Sequence, residues 1–152
     1  MVSKTKDLVV TISAEEYLDL SDEELDALSP EQFLEGQTAV LNAERLTYGE
    51  QASALKAEAD LIAAEAEPGD TQFDEESGEG ATATIDRERD LALAAQARAA
   101  IEEIDGALRK MQHATYGVCE NCHQPIPRAR LRALPFARLC VRCKEGGLSR
   151  RS

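Results

Sequence analysis

Four cysteines, grouped two by two, are the residues of this chain whose type and spacing can do chemistry. Cys119 and Cys122 form one CxxC, Cys140 and Cys143 the other, and 17 residues separate the pairs. Zn²⁺ takes four ligands in a tetrahedron at about 2.3 Å from each thiolate sulfur, and the tight turn of a CxxC aims two sulfurs at one point. The separation of the pairs lies within the range of four-cysteine zinc modules, and no cysteine is left over. These residues therefore support one structural zinc held by Cys119, Cys122, Cys140 and Cys143. With four protein ligands no position stays open for water, so the metal is expected to hold shape and to perform no catalysis.

Other uses of four thiols compete with zinc. Disulfides belong to oxidising compartments; no signal-peptide pattern opens the sequence, so reduced thiols and a cytoplasmic location are expected. A thioredoxin-like pair needs a βαβ setting that the sequence lacks. A zinc-thiolate redox sensor, which sheds its metal when the thiols oxidise, remains an alternative use of the same cluster. His123 directly follows Cys122 and is expected to be the knuckle residue of positive φ, not a ligand. His113 is expected at an exposed helix end. No Ser/His/Asp set, phosphate loop or open metal site occurs, so the chain is not expected to be an enzyme.

The remainder of the chain must position this module. Its 152 residues contain 4 % aromatics and no tryptophan, and much of the apolar fraction is alanine, so no large globular core is expected. The formal charge is -12, unevenly divided: residues 119–152 carry 8 Lys and Arg against 2 Asp and Glu, a formal +6, which leaves -18 on residues 1–118. Four thiolates around one Zn²⁺ bring the C-terminal excess to about +4. Two oppositely charged surfaces imply different partners. No run of 18 apolar residues is present, so no membrane partner is expected.

Periodicity gives an all-α fold in three parts. Residues 1–29 read as a flexible acidic arm. Its LVVTI run at 8–12 is β-like, while Ser13-Ala-Glu-Glu and Ser21-Asp-Glu-Glu look like capped helix starts. Residues 30–114 read as a long antiparallel coiled-coil hairpin, opening at Ser29-Pro30-Glu31. Leu34, Leu41, Tyr48, Leu55 and Ile62 recur every seven residues, each followed four residues later by Thr38, Arg45, Ala52, Ala59 or Ala66. Arg45 is the one awkward seam member. Glu67-Pro68-Gly69-Asp70 stops this helix, and a second seam follows at Ala94, Ala97, Ile101, Ile104, Leu108 and Met111. Between the seams lies an acidic tip loop near 68–82, expected at the far end of a rod about 50 Å long at 1.5 Å per helical residue. Residues 115–152 form the zinc-finger module and a basic tail. A monomer is expected, although such seams pack equally well between chains.

The stretch Tyr116-Gly-x-Cys-x-x-Cys122, then Ile126, Arg130-Leu131, Ala133, Pro135, Ala137 and Cys140-Val-Arg-Cys143-Lys144, behind a long hairpin, resembles the DksA/TraR family of RNA-polymerase-binding regulators. The resemblance covers residues 70–145. It implies a hairpin that enters the secondary channel of bacterial RNA polymerase, with the zinc module gripping the rim and the tip approaching the active site. Members modulate initiation without sequence-specific DNA binding. The family's tip motif, D-x-x-D-x-A, falls by gap-free counting on Glu76-Ser-Gly-Glu79-Gly-Ala81, with Asp74 and Glu75 as substitutes if a short gap shifts the register. The basic residues Arg128, Arg130, Arg132, Arg138, Arg142 and Lys144 are then candidate rim contacts. Positions that help some members bind guanosine tetraphosphate become Glu103, Leu134 and Lys144, so weak or absent alarmone dependence is expected. An acidic hairpin suits a channel entrance that offers basic groups. The rival reading is a DNA-binding zinc finger, which the acidity of the whole chain disfavours.

Overall fold

The computed structural model describes residues 11–65 and 77–149, without the side chains of 77–79 and 147–149. Asp74, Glu75 and Glu76 of the expected tip, the helix stop at 67–70 and most of the LVVTI run lie outside the described residues. Among the described residues six helices follow one another: α1 Ala14–Leu18, α2 Asp22–Ala27, α3 Pro30–Glu65, α4 Ser77–Gln112, α5 Arg128–Ala133 and α6 Val141–Ser149. Among the described residues the only β pairing is an isolated antiparallel bridge between Val118 and Pro125. The chain is all-α, with a long antiparallel hairpin and a C-terminal four-cysteine module.

The first three helices start by one device. Ser13, Ser21 and Ser29 each accept a hydrogen bond from the backbone N–H three residues on, at 3.2, 3.2 and 3.1 Å. Glu16, Glu24 and Gln32 reach back to the serine N–H at 3.1, 2.8 and 3.0 Å. Each box satisfies two donors that a helix start leaves open. The fourth helix begins at Ser77, so residues 77–82 of the expected tip loop are helical. Thr84 Oγ1 donates to Gly80 O at 3.0 Å within that first stretch.

The chain divides into two units, Glu44–Gly106, and Met1–Ala43 with Ala107–Ser152. In the first, α3 and α4 run antiparallel: Arg45 meets Asp105, and Tyr48, Leu55 and Glu58 share a groove with Ala100, Ala97 and Leu93. Ala52, Ala59, Ala94, Ala97 and Ile104 are buried. Tyr48, Leu55, Ile62 and Ile101 are only partly so. A two-helix layer encloses most fully the side chains directly between its axes, here four alanines and Ile104, while other large residues flank it. Arg45 is accommodated by turning its Nε to Asp105 Oδ1 at 2.7 Å. Asp90 also occupies the seam, 2 % exposed, with Oδ1 3.3 Å from Arg89 and Oδ2 lacking any hydrogen-bond partner.

The second unit holds the larger core. Tyr17, Leu25, Phe33, Val40, Cys119, Ile126 and Leu131 form one buried cluster, flanked by Ile12, Leu20, Leu28, Leu34 and Tyr116. Residues 13–28, expected within a flexible arm, therefore form two capped helices docked on α3 and the finger. Tyr17 and Leu25 are fully buried. The reason lies in side-chain placement: each short helix buries one large side chain, and each finds a slot made by distant parts of the chain.

Candidate metal centre

The first cysteine pair sits in a knuckle built by backbone hydrogen bonds. Gly117 has φ +80°, and its carbonyl accepts from Ile126 N at 2.8 Å. Cys119 N donates to Gln124 O and His123 N donates to Cys119 O, both at 2.9 Å. This closes a turn whose last corner needs a left-handed residue, and His123 supplies it with φ +59°. As expected, His123 shapes the knuckle and is exposed. His113 is exposed just after the end of α4.

The second pair stands at the start of α6. Cys140 immediately precedes the helix and Cys143 lies in its first turn, with Lys144 N donating to Cys140 O at 3.0 Å. A helix N-terminus favours negative charge, which thiolate ligands carry.

The four Sγ atoms lie within 4.8 Å of one another, and those of Cys122 and Cys140 are 3.8 Å apart. A tetrahedron with arms of about 2.3 Å has edges of about 3.8 Å, so the cage fits Zn²⁺. Cys119 is fully buried, while Cys122 is exposed. Backbone N–H groups of Cys122, Cys140 and Asn121 draw the Cys119 thiol down to about 6. The thiols crowding Cys122, with its desolvation, outweigh the lowering by the Gln124 N–H and push it up to about 11. Crowded sulfurs cannot all ionise without a cation; a divalent ion removes that conflict and takes all four as thiolates. Asn121 Nδ2 donates to Cys143 Sγ at 3.3 Å, a contact that orients the ligand. These cysteines hold one structural zinc.

The module is braced from outside. Lys110 Nζ pairs with Glu120 Oε1 at 2.5 Å, holding the Glu120 carboxyl below its ordinary value. Gln37, fully buried on α3, accepts from Tyr17 OH at 2.6 Å. Its Nε2 donates to Tyr116 OH at 2.6 Å and to Leu131 O at 2.8 Å. Tyr116 OH in turn donates to Pro135 O at 2.7 Å. Burial pushes the Tyr17 hydroxyl pKa far up, so it stays a donor.

The basic residues separate into two groups. Arg128 Nη1 donates to Leu25 O at 2.9 Å and Leu28 O at 2.8 Å, and its guanidinium lies 4.7 Å over the Phe33 ring. Arg130 Nε donates to Leu139 O at 3.2 Å. Arg132 donates to Leu20 O and pairs with Asp22 Oδ1 at 2.6 Å. All three arginines of α5 thus engage the chain itself; Arg138, Arg142 and Lys144 are exposed. Of the expected tip residues, Glu79 lies in the first turn of α4 and Ala81 is exposed on the same helix.

Sequence reasoning missed Asn121, Gln37 and the inward role of Arg128. A second stripe on α3, Phe33, Gly36, Gln37 and Val40, has helical spacing and was the signal available for Gln37.

Residues 114–146 match the family described as prokaryotic dksA/traR C4-type zinc finger. General stress protein 16O of Bacillus subtilis is 34 % identical over 105 residues, 69 % of this chain and 64 % of that one. The RNA polymerase-binding transcription factor DksA of Caulobacter vibrioides is 38 % identical over 65 residues, 43 % of this chain and 46 % of that one. The matched stretches thus span less than two thirds of these curated relatives. The solved structure of transcription factor DksA2 from Pseudomonas aeruginosa superposes with a TM-score of 0.59 at 24 % identity, covering 85 % of this chain and 96 % of that one.

Proposed function

Because the finger belongs to the DksA/TraR family and the chain shares the DksA fold, we propose that this protein is a transcription regulator that binds RNA polymerase directly. The observation that carries the reading is the union of that finger with a long antiparallel hairpin in one chain, with 85 % of this chain matched by DksA2. In this reading the hairpin enters the secondary channel and carries Glu76, Glu79 and Ala81 toward the active site, with Asp74 nearby. Each glutamate is one methylene longer than an aspartate, which shifts its carboxylate by about 1.5 Å and changes the contact it makes.

The exposed Arg138, Arg142 and Lys144 are the rim contacts, since solvent and a partner can reach them. Arg128 and Arg130 act there only indirectly, by holding the finger in shape. The chain works as a cytoplasmic monomer and catalyses nothing itself. Guanosine tetraphosphate has little effect through Glu103, Leu134 and Lys144, because a carboxylate facing a phosphate repels it.

The test is gel-filtration co-elution of the zinc-loaded protein with bacterial core RNA polymerase, without nucleic acid, beside the Cys140→Ser variant. Co-elution of the first and not the second is expected. Transcription assays with Glu76→Ala and Glu79→Ala then separate binding from tip action: both variants should still co-elute and lose the effect on initiation. If neither protein co-elutes and naked DNA is shifted at low salt, the reading falls.

A further inference from the structure

The acidic segment α1–α2 is built into the same core as the metal ligands. Cys119 belongs to the buried cluster with Tyr17, Leu25, Phe33 and Val40, and Cys140 and Cys143 press against it from the side. Gln37 ties Tyr17 of α1 to Leu131 O and to Tyr116, which reaches Pro135 O, so one amide spans the arm and both approaches to the cysteine pairs. Arg128 donates to two carbonyls at the end of α2, and Arg132 holds Leu20 O and Asp22. The fit at Tyr17 is close. A Cβ on Gly36 would stand 2.1 Å from Tyr17 Cδ2.

Neither side of this contact is self-sufficient. Helices α1 and α2, with 5 and 6 residues, are far too short to persist alone. Without its metal, a small four-cysteine module has too little apolar burial to stay folded. Elements that share one core and one polar hub fold together, and such coupling is reciprocal.

We infer that docking of α1–α2 and retention of zinc form one coupled equilibrium: the arm holds the finger in its metal-binding shape, and metal loss releases the arm. Tyr17, Gly36, Gln37 and Arg128 are therefore positioning residues for a zinc site none of them touches. Occupancy of the site is reported at residues 13–28, which bear seven carboxylates and no basic residue. Their release uncovers the guanidinium groups of Arg128 and Arg132.

Two measurements on the full chain test this. In the first, hydrogen exchange is followed with zinc bound and after a chelator has removed it. Amides of 14–28 should lose protection together with those of 116–144; protection retained at 14–28 overturns the inference. In the second, Gly36→Ala competes against a chromogenic chelator for zinc. Alanine favours helix α3 and leaves every ligand in place, yet it evicts the Tyr17 ring. Zinc affinity should fall about tenfold, within the range of ordinary coupling between sites. Arm amides that exchange as fast as in the zinc-free protein, with affinity within about twofold of wild type, also overturn it, since coupling between sites is usually larger. If the alanine leaves 14–28 protected, Tyr17→Ala removes the ring itself and is read by the same two criteria.

Discussion

Replacing Gln37 with leucine tests the polar hub most directly. The amide is fully buried and makes three hydrogen bonds, to Tyr17 OH, Tyr116 OH and Leu131 O. Leu131 O depends on it for a specific reason: the residue four positions on is Pro135, which has no N–H to donate. Gln37→Leu therefore leaves two buried groups unpaired, the Tyr17 hydroxyl and the Leu131 carbonyl. Tyr116 OH keeps its acceptor at Pro135 O. At about 1–3 kcal/mol for each unpaired group, less the modest gain from an apolar side chain of similar size, the expected loss is about 2–4 kcal/mol. Tyr17→Phe orphans only Gln37 Oε1 and should cost about 1–2 kcal/mol. The double variant should cost less than the sum, because each substitution removes the other's partner. Urea unfolding followed by tyrosine fluorescence is the natural assay. The chain has no tryptophan, and two of its three tyrosines lie in this network. A Gln37→Leu loss below about 0.5 kcal/mol, the scatter of ordinary surface changes, would refute the reasoning.

Further predictions concern the metal, the seam and the caps. Asn121→Ala removes the donor to Cys143 Sγ and should lower zinc affinity about tenfold in chelator competition, with the fold otherwise intact. Asp90→Leu replaces a buried carboxylate whose Oδ2 has no partner and should stabilise the hairpin by about 1–3 kcal/mol in thermal melts at 222 nm; a lower melting point would contradict this. Arg45→Ala breaks a pair with side chains 49 % and 33 % exposed, so it should cost no more than about 1 kcal/mol by the same assay. The Glu16 and Glu24 carboxyls are held below their ordinary value by the N–H and hydroxyl of Ser13 and Ser21. A lowered folded pKa gives stabilisation that is complete above the unfolded value and fades as pH falls through the folded one. Protection factors at 14–28, with rates referred to the unstructured chain at the same pH, should thus fall below the usual glutamate range, and Glu16→Gln with Glu24→Gln should flatten that dependence.

What was legible in the sequence was local or periodic. The CxxC spacing names the ligands because both sulfurs of a pair come from one turn, and the caps at Ser13, Ser21 and Ser29 need only four residues each. The seam of α3 and α4 shows because a helix repeats its buried face. The docked arm did not show, for the opposite reason. Tyr17 and Leu25 lie in short, acidic segments with no helical repeat to mark them, and Leu25 is held by an arginine 103 residues later. Phe33 and Val40 fall outside the heptad because α3 is faced on a second side there by the arm and finger. Gln37 looks like solvated helix surface until that second face is known. Arg128 likewise reads as exposed charge, although its guanidinium caps α2.

The same inward turn bears on the choice of partner. A finger that reads nucleic acid presents its cationic side chains to phosphate, and its binding weakens steeply with salt as each contact releases counterions. Here each arginine of helix α5 donates to a main-chain carbonyl, and Arg132 also pairs with Asp22, one of seven carboxylates in residues 13–28. A phosphate backbone approaching that face meets acidic helices first. Among the described residues of the finger, the exposed cations are Arg138, Arg142 and Lys144, close in sequence to the second cysteine pair and around the start of α6. So small a patch, in a chain whose net charge is strongly negative, favours a protein surface that offers both signs of charge, where complementarity fixes orientation and the buried contacts supply affinity. Weakening by salt should then be shallow for the proposed polymerase complex, and a steep loss would point back to phosphate.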